Sequence, residues 1–133
     1  MTQQPLILIT NDDGIEALGI FHLWRALKGR YRLAIVAPHG QQSSVGLSLT
    51  VRSTLQLAKA EWPDDTAAWS LTGTPADCVK MALNILGEVP SLIVSGINQG
   101  SNAGRNVLYS GTVGGVIEGT LRGVPGIPFS CRD

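Results

Sequence analysis

Leu6–Thr10 forms a short continuous apolar run of strand length, the pattern of a strand covered on both faces by other elements. It leads straight into Asn11-Asp12-Asp13-Gly14. From Ala17 to Lys28, Leu18, Phe21, Leu23, Trp24 and Leu27 recur at three- and four-residue spacing, with His22 inside the stripe and Gly29 as the stop, which predicts a helix. Tyr31–Ala37 reads as a second strand ending at Pro38, which cannot donate to a central ladder, and His39–Gly46 is a polar loop. Between Leu49 and Ala58, the residues Val51, Ser53, Leu55 and Leu57 fall on one alternating face. Trp69–Leu71 offers them a pairing partner after the Pro63-Asp64-Asp65 turn, so an antiparallel excursion is expected here.

At Thr74-Pro75-Ala76-Asp77 the signals of a helix start coincide: a hydroxyl N-cap, proline at the first helical position and an acid in the first turn. Val79, Ala82, Leu83 and Leu86 supply its apolar stripe. Leu92–Ser95 is the next buried strand, Gly96–Gly111 a Gly- and Asn-rich loop, Thr112 to about Arg122 a helix, and Ile127–Ser130 a last strand. Strands alternating with helices predict an α/β fold: a Rossmann-like, mainly parallel sheet with helices on both faces, in a single domain over residues 1–133. Such sheets bind ligands beyond the carboxyl ends of their strands. Neither G-x-G-x-x-G after the first strand nor G-x-x-x-x-G-K-[ST] is present, so the loops need another chemistry.

Composition narrows the partners. With 133 residues and 44% hydrophobic content the chain buries one core, and ten basic side chains cancel ten acidic ones. Nothing in that balance steers the protein toward a nucleic-acid polymer or an anionic membrane, so an anionic ligand must be held locally. Cys78 and Cys131 have neither metal-ligand spacing nor the look of a disulfide framework, which fits a reducing cytoplasm. The first residues lack a basic n-region and the apolar run stops at Asn11, so the expectation is a soluble cytoplasmic protein.

Asn11-Asp12-Asp13-Gly14 admits two readings. One is an ordinary turn, since Asp-Gly and Asn tolerate left-handed backbone. The other is that two adjacent carboxylates are held together because a hard divalent cation neutralises their repulsion. A cation needs further oxygen donors, and Ser43 in the loop after the second strand and Asn98 after Leu92–Ser95 are placed to supply them; each alone reads equally as a solvated loop or turn residue. An all-oxygen set favours Mg²⁺, Mn²⁺ or Ca²⁺ over structural zinc, and neither His22 nor His39 is expected to be a ligand or base. Ser110-Gly111-Thr112 leads into a helix whose N-terminus favours an anion, unless Thr112 merely caps that helix. Arg105 offers a cation to a phosphate or is simply solvated.

With these residues in view, the chain resembles the SurE family, the stationary-phase survival proteins that are metal-dependent 5′/3′-nucleotidases. The resemblance runs from Ile7 to the end. It rests on Asn11-Asp12-Asp13-Gly14-Ile15, Val36-Ala37-Pro38 with Ser43, Gly73-Thr74-Pro75-Ala76-Asp77-Cys78-Val79, Ser95-Gly96-Ile97-Asn98 with Gly100 and Asn102, and Tyr109-Ser110-Gly111-Thr112-Val113 with Glu118-Gly119. It implies one divalent ion, Mg²⁺ or Mn²⁺, on Asp12, Asp13, Ser43 and Asn98, with Asp12 and Asp13 at the catalytic centre. It also implies a substrate phosphate near Asn98 and Ser110-Gly111-Thr112.

The implied reaction is hydrolysis of nucleoside monophosphates, and in some family members of short polyphosphate, by metal-activated water with no separate general base. A binding module without turnover is the alternative. Three positions depart from the family pattern: Ala17-Leu18-Gly19 replaces Ala-Pro-Gly, Ser43-Ser44 replaces Ser-Gly, and Gly104-Arg105-Asn106 replaces an often acidic segment. The resemblance is to the N-terminal portion, since family members continue into a C-terminal part whose hairpin is exchanged between subunits of a homodimer or tetramer.

Overall fold

The computed structural model describes residues 4–40, 55–99 and 111–131. Its elements are β1 (Leu6–Thr10), α1 (Leu18–Leu27), β2 (Arg32–Pro38), β3 (Leu57–Lys59), β4 (Ala67–Leu71), α2 (Pro75–Ile85), β5 (Leu92–Gln99), α3 (Gly111–Leu121) and β6 (Gly126–Cys131). The strands form a six-stranded sheet in the order β3-β4-β2-β1-β5-β6. All neighbours are parallel except β3 and β4, where Leu57 lies opposite Leu71 and Lys59 opposite Trp69.

β1 is buried on both faces because it sits at the centre of the sheet. Ile7 and Ile9 face a layer with Ile35, Val94 and the α1 residues Ile20, Leu23 and Trp24. Leu8 points the other way, into Val36, Ile93 and the α2 residues Cys78, Val79 and Ala82. α3 packs beside α2 on this second face, with Gly115 against Thr10 and Pro75 and Gly119 against Ile93. Helices therefore cover both faces, as the alternation of strands and helices predicts.

The chain passes from β1 to β2 and then β4 on one side, and returns to β5 and β6 on the other. The direction of winding thus reverses between β1 and β5, and the crevice of such a sheet opens above that point.

Local signals place most boundaries to within a residue or two. Thr74 makes a full capping box: its Oγ1 accepts from the Asp77 N–H at 3.1 Å while the Asp77 carboxylate accepts from the Thr74 N–H at 2.9 Å. Elsewhere tertiary context changes the outcome. Leu18 is 74% exposed and His22 is also exposed, so the buried stripe of α1 is Ile20, Leu23 and Trp24. In the antiparallel excursion, β3 is short and its three residues are exposed because it is the edge of the sheet, and residues 49–54 lie outside the described part. β4 begins at Ala67 and is also a parallel neighbour of β2.

β5 continues through Gln99 into the segment expected to be loop. Its glycine and asparagine lower local strand preference, yet β6 supplies partners there, Ser130 opposite Asn98 and Cys131 opposite Gln99, after a register shift that follows Ser95. β6 itself extends from Gly126 to Cys131, and α3 starts at Gly111 rather than Thr112.

Candidate functional site

At the tip of β1 the turn and the site occupy the same residues. Asn11 closes the turn from within: its Nδ2 donates to the Gly14 carbonyl at 2.7 Å, and its Oδ1 accepts from the Gly14 N–H at 3.2 Å. Gly14 takes φ +107°, a conformation that an L side chain rarely adopts. The next residue, Ile15, donates its N–H to the Pro38 carbonyl at 2.8 Å and enters the core. Asp12 and Asp13 are thus carried on a loop anchored to the ends of both β1 and β2.

The two carboxylates have different surroundings. Asp12 is fully buried, whereas Asp13 is partly exposed and lines a cavity of about 620 Å³ with Gly19, His22, Ile97 and Cys131. α1 reaches this edge by close backbone approach: a Cβ on Gly19 would overlap the Ile97 carbonyl oxygen. That contact fixes the start of α1 against the β5 residue just before Asn98.

Register places the remaining elements. Thr10 lies opposite Ser95, both fully buried, and Asn98 lies three residues farther along β5 at 8% exposure. α3 runs antiparallel to these strands, since Gly119 is level with Ile93 and Gly115 with Thr10, and Ile93 is itself the partner of Leu8. One more helical turn, about 6 Å, carries the backbone of Gly111 past the tip of β1, on the side toward which Asp12 continues. Asp12, Asp13, Asn98 and the N-terminus of α3 at Gly111-Thr112 therefore share the carboxyl edge of the sheet around the β1–β5 switch point. Ser43, Arg105 and Ser110 lie outside the described residues.

The donor chemistry is all oxygen. Among the described residues no three or more His, Cys, Asp and Glu side chains cluster as a metal site. Burial pushes the Cys78 thiol pKa up, with the Asp77 charge adding to the effect and the Thr10 hydroxyl opposing it, so Cys78 stays protonated and is neither a nucleophile nor a soft ligand. His39 is exposed beyond β2 and His22 on the surface of α1. A carboxylate as buried as Asp12 is stable only with its charge compensated, and carboxylate and amide oxygens suit a hard divalent cation. The residues present fit such an ion.

Sequence reasoning overlooked Ser95 and Gly19 as parts of this edge. The available signal for the first is a hydroxyl ending the apolar run Leu92-Ile93-Val94. No signal for the second exists short of knowing where α1 meets β5.

Comparison with known proteins agrees with the motif order. The family model for Survival protein SurE matches residues 7–133. A 5′-nucleotidase SurE of Protochlamydia amoebophila is 56% identical over 135 residues, covering 100% of this chain and 52% of the relative. One of Thermosipho africanus is 50% identical over 125 residues, covering 93% and 49%. The crystal structure of the SurE protein from Aquifex aeolicus superposes with a TM-score of 0.87 at 41% identity, over 97% of this chain and 52% of that one. The chain spans about half the length of the curated relatives it matches. With the family model covering all but its first few residues, the chain belongs to the SurE family.

Proposed function

We propose that this chain carries the metal and phosphate site of a nucleoside monophosphate phosphatase, a 5′/3′-nucleotidase, with Mg²⁺ or Mn²⁺ as its ion. The observation that carries the reading is the meeting, at one switch point, of the buried Asp12 carboxylate with the N-terminus of an 11-residue helix, α3. The name 5′-nucleotidase on relatives up to 56% identical supports the substrate class.

Asp12, Asp13 and Asn98 would hold the cation, together with Ser43. When bound, it supplies Lewis-acid activation of water and of the phosphoryl group. The chain's own residues do the rest. Asp12, held on a loop tied to β1 and β2, would be a fixed ligand for the ion. The backbone N–H groups in the first turn of α3, from Gly111 and Thr112, would face developing negative charge on the phosphoryl oxygens, with Ser110, which lies outside the described residues, expected to join them. Asp13, partly exposed beside the 620 Å³ cavity, borders the space where the rest of the nucleotide would lie.

A carboxylate engaged with a cation is a weak base, so no separate general base is assigned. The described residues include no helix long and apolar enough to cross a membrane, and the near-neutral charge of the chain supports a small-molecule substrate rather than a nucleic-acid polymer.

The test is phosphate release by the purified chain from a panel of 5′- and 3′-nucleoside monophosphates and short polyphosphate, with Mn²⁺, with Mg²⁺, and after chelation. Release from nucleotides that requires metal and is lost in Asp12→Asn is expected. Unchanged release after chelation would overturn the metal site, and no release above the Asp12→Asn background would overturn the enzymatic reading.

A further inference from the structure

Ser95 is a residue of this edge that the metal set does not use and whose burial asks for an explanation. It is fully buried, and its Oγ has no hydrogen-bond partner among the described residues. A buried hydroxyl left unpaired is destabilising, and an alanine or valine would end this apolar strand more cheaply. Its strand neighbours are Thr10 on β1 and Pro128 on β6, and the buried Thr10 hydroxyl likewise has no hydrogen-bond partner among the described residues.

Direction follows from the strand. Side chains alternate along β5, so Ser95 points to the same face as Ile93, into the layer occupied by α2 and α3. Gly115 of α3 packs against Thr10, the strand partner of Ser95, and brings no side chain to pair with the hydroxyl. α3 begins one turn farther on, at Gly111, and the first four N–H groups of a helix lack intrahelical partners. A buried hydroxyl without a partner among the described residues thus lies on the face over which α3 begins, one helical turn short of its N-terminus.

Resting on the function proposed above, we propose that the Ser95 hydroxyl is a phosphate-binding group, donating a hydrogen bond to an oxygen of the phosphate held between Asp12 and the N-terminus of α3. The hydroxyl reads the oxyanion rather than the cation. Its removal should therefore weaken phosphate binding without weakening metal binding.

The experiment is calorimetric titration of Mn²⁺ into the metal-free protein and of inorganic phosphate into the Mn²⁺-loaded protein, for wild type, Ser95→Ala and Ser95→Thr, with urea unfolding of each metal-free form. Ser95→Ala is expected to bind phosphate about tenfold or more weakly, as for loss of a hydrogen bond to a charged acceptor. It should bind Mn²⁺ within about twofold of wild type and be at least as stable without metal. Ser95→Thr, which keeps the hydroxyl, should restore phosphate binding.

Wild-type affinity for phosphate in Ser95→Ala overturns the inference, as does parallel loss of Mn²⁺ binding or of metal-free stability, which would mark a structural role. If Ser95→Ala does not fold, Ser95→Cys replaces it: a thiol is a weak donor, and phosphate affinity equal to wild type in that variant is equally fatal. Failure of the wild-type Mn²⁺-loaded protein to bind phosphate would instead overturn the proposed function on which the inference rests.

Discussion

Replacing Gly19 by alanine sets two well-understood effects against each other. Gly19 lies in the first turn of α1, where alanine is favoured over glycine by up to about 1 kcal/mol, so propensity alone predicts a more stable protein. The structure predicts the reverse. A Cβ at this position would overlap the Ile97 carbonyl oxygen and stand 3.0 Å from the Ile97 carbonyl carbon and 3.3 Å from its nitrogen. These are main-chain atoms of β5, which cannot rotate aside as a side chain can, so α1 must move off the sheet.

Overpacking of this kind costs about 1–3 kcal/mol, and an obstacle made of backbone places the cost toward the upper end. The net expectation is a loss of about 1–2 kcal/mol. With a urea dependence of about 2 kcal/mol per molar, the unfolding midpoint should fall by about 0.5–1 M, read from the fluorescence of Trp24, Trp62 and Trp69. Gly119→Ala is the internal control. Its Cβ would meet the Cδ1 atom of Ile93, the end of a flexible side chain, and it should cost less. A Gly19→Ala protein as stable as wild type, or more so, would refute the claim that close backbone approach sets the position of α1. Because Ile97 precedes Asn98, Gly19→Ala should also weaken Mn²⁺ binding.

Thr74→Ala removes the side-chain half of the α2 capping box and should cost about 1 kcal/mol in urea unfolding, with Thr74→Ser close to neutral. Asp12→Asn should abolish stabilisation by Mn²⁺, which at 100 times Kd adds about 2.7 kcal/mol to the wild type; a Mn²⁺-dependent rise in the Asp12→Asn midpoint equal to wild type would exclude this carboxylate as a ligand. Arg32 pairs with Glu88 through two 2.7 Å hydrogen bonds and holds its carboxyl below the ordinary carboxylate range. Because the folded-state pKa is depressed, this contribution is present above the unfolded-state pKa and lost as pH falls through the folded-state one. Glu88→Gln should therefore lower stability slightly at neutral pH, converge with wild type in acid and so flatten the acid limb of the stability–pH curve, and an unchanged acid limb would show that the pair does not act on stability.

Legibility in the sequence followed the range of the forces involved. The cap at Thr74 and the buried run Leu6–Thr10 depend on residues a few positions apart, and both lie where their patterns place them. The α1 stripe was misassigned at Leu18 and His22 because periodicity marks a face without saying how wide it is. β5 ran past its apolar segment because a neighbouring strand, not its own composition, satisfies the backbone through Gln99. At the site, Asp12 and Asp13 stood out as paired carboxylates at a strand tip, and Asn98 only by its place after a strand. Ser95 carried no such mark, since a serine at a strand end is ordinary until its neighbours are known.

The sequence by itself determined the class of fold, the order of elements and the oxygen character of the candidate ligands, because alternation, capping and donor type are properties of short segments. The tertiary structure decided that Asp12 is buried and Asp13 is not, that α3 runs toward the tip of β1, and that the Ser95 hydroxyl is buried without a partner among the described residues. The reason is physical: burial and convergence depend on strand register and helix direction, and both are set by contacts between segments dozens of residues apart.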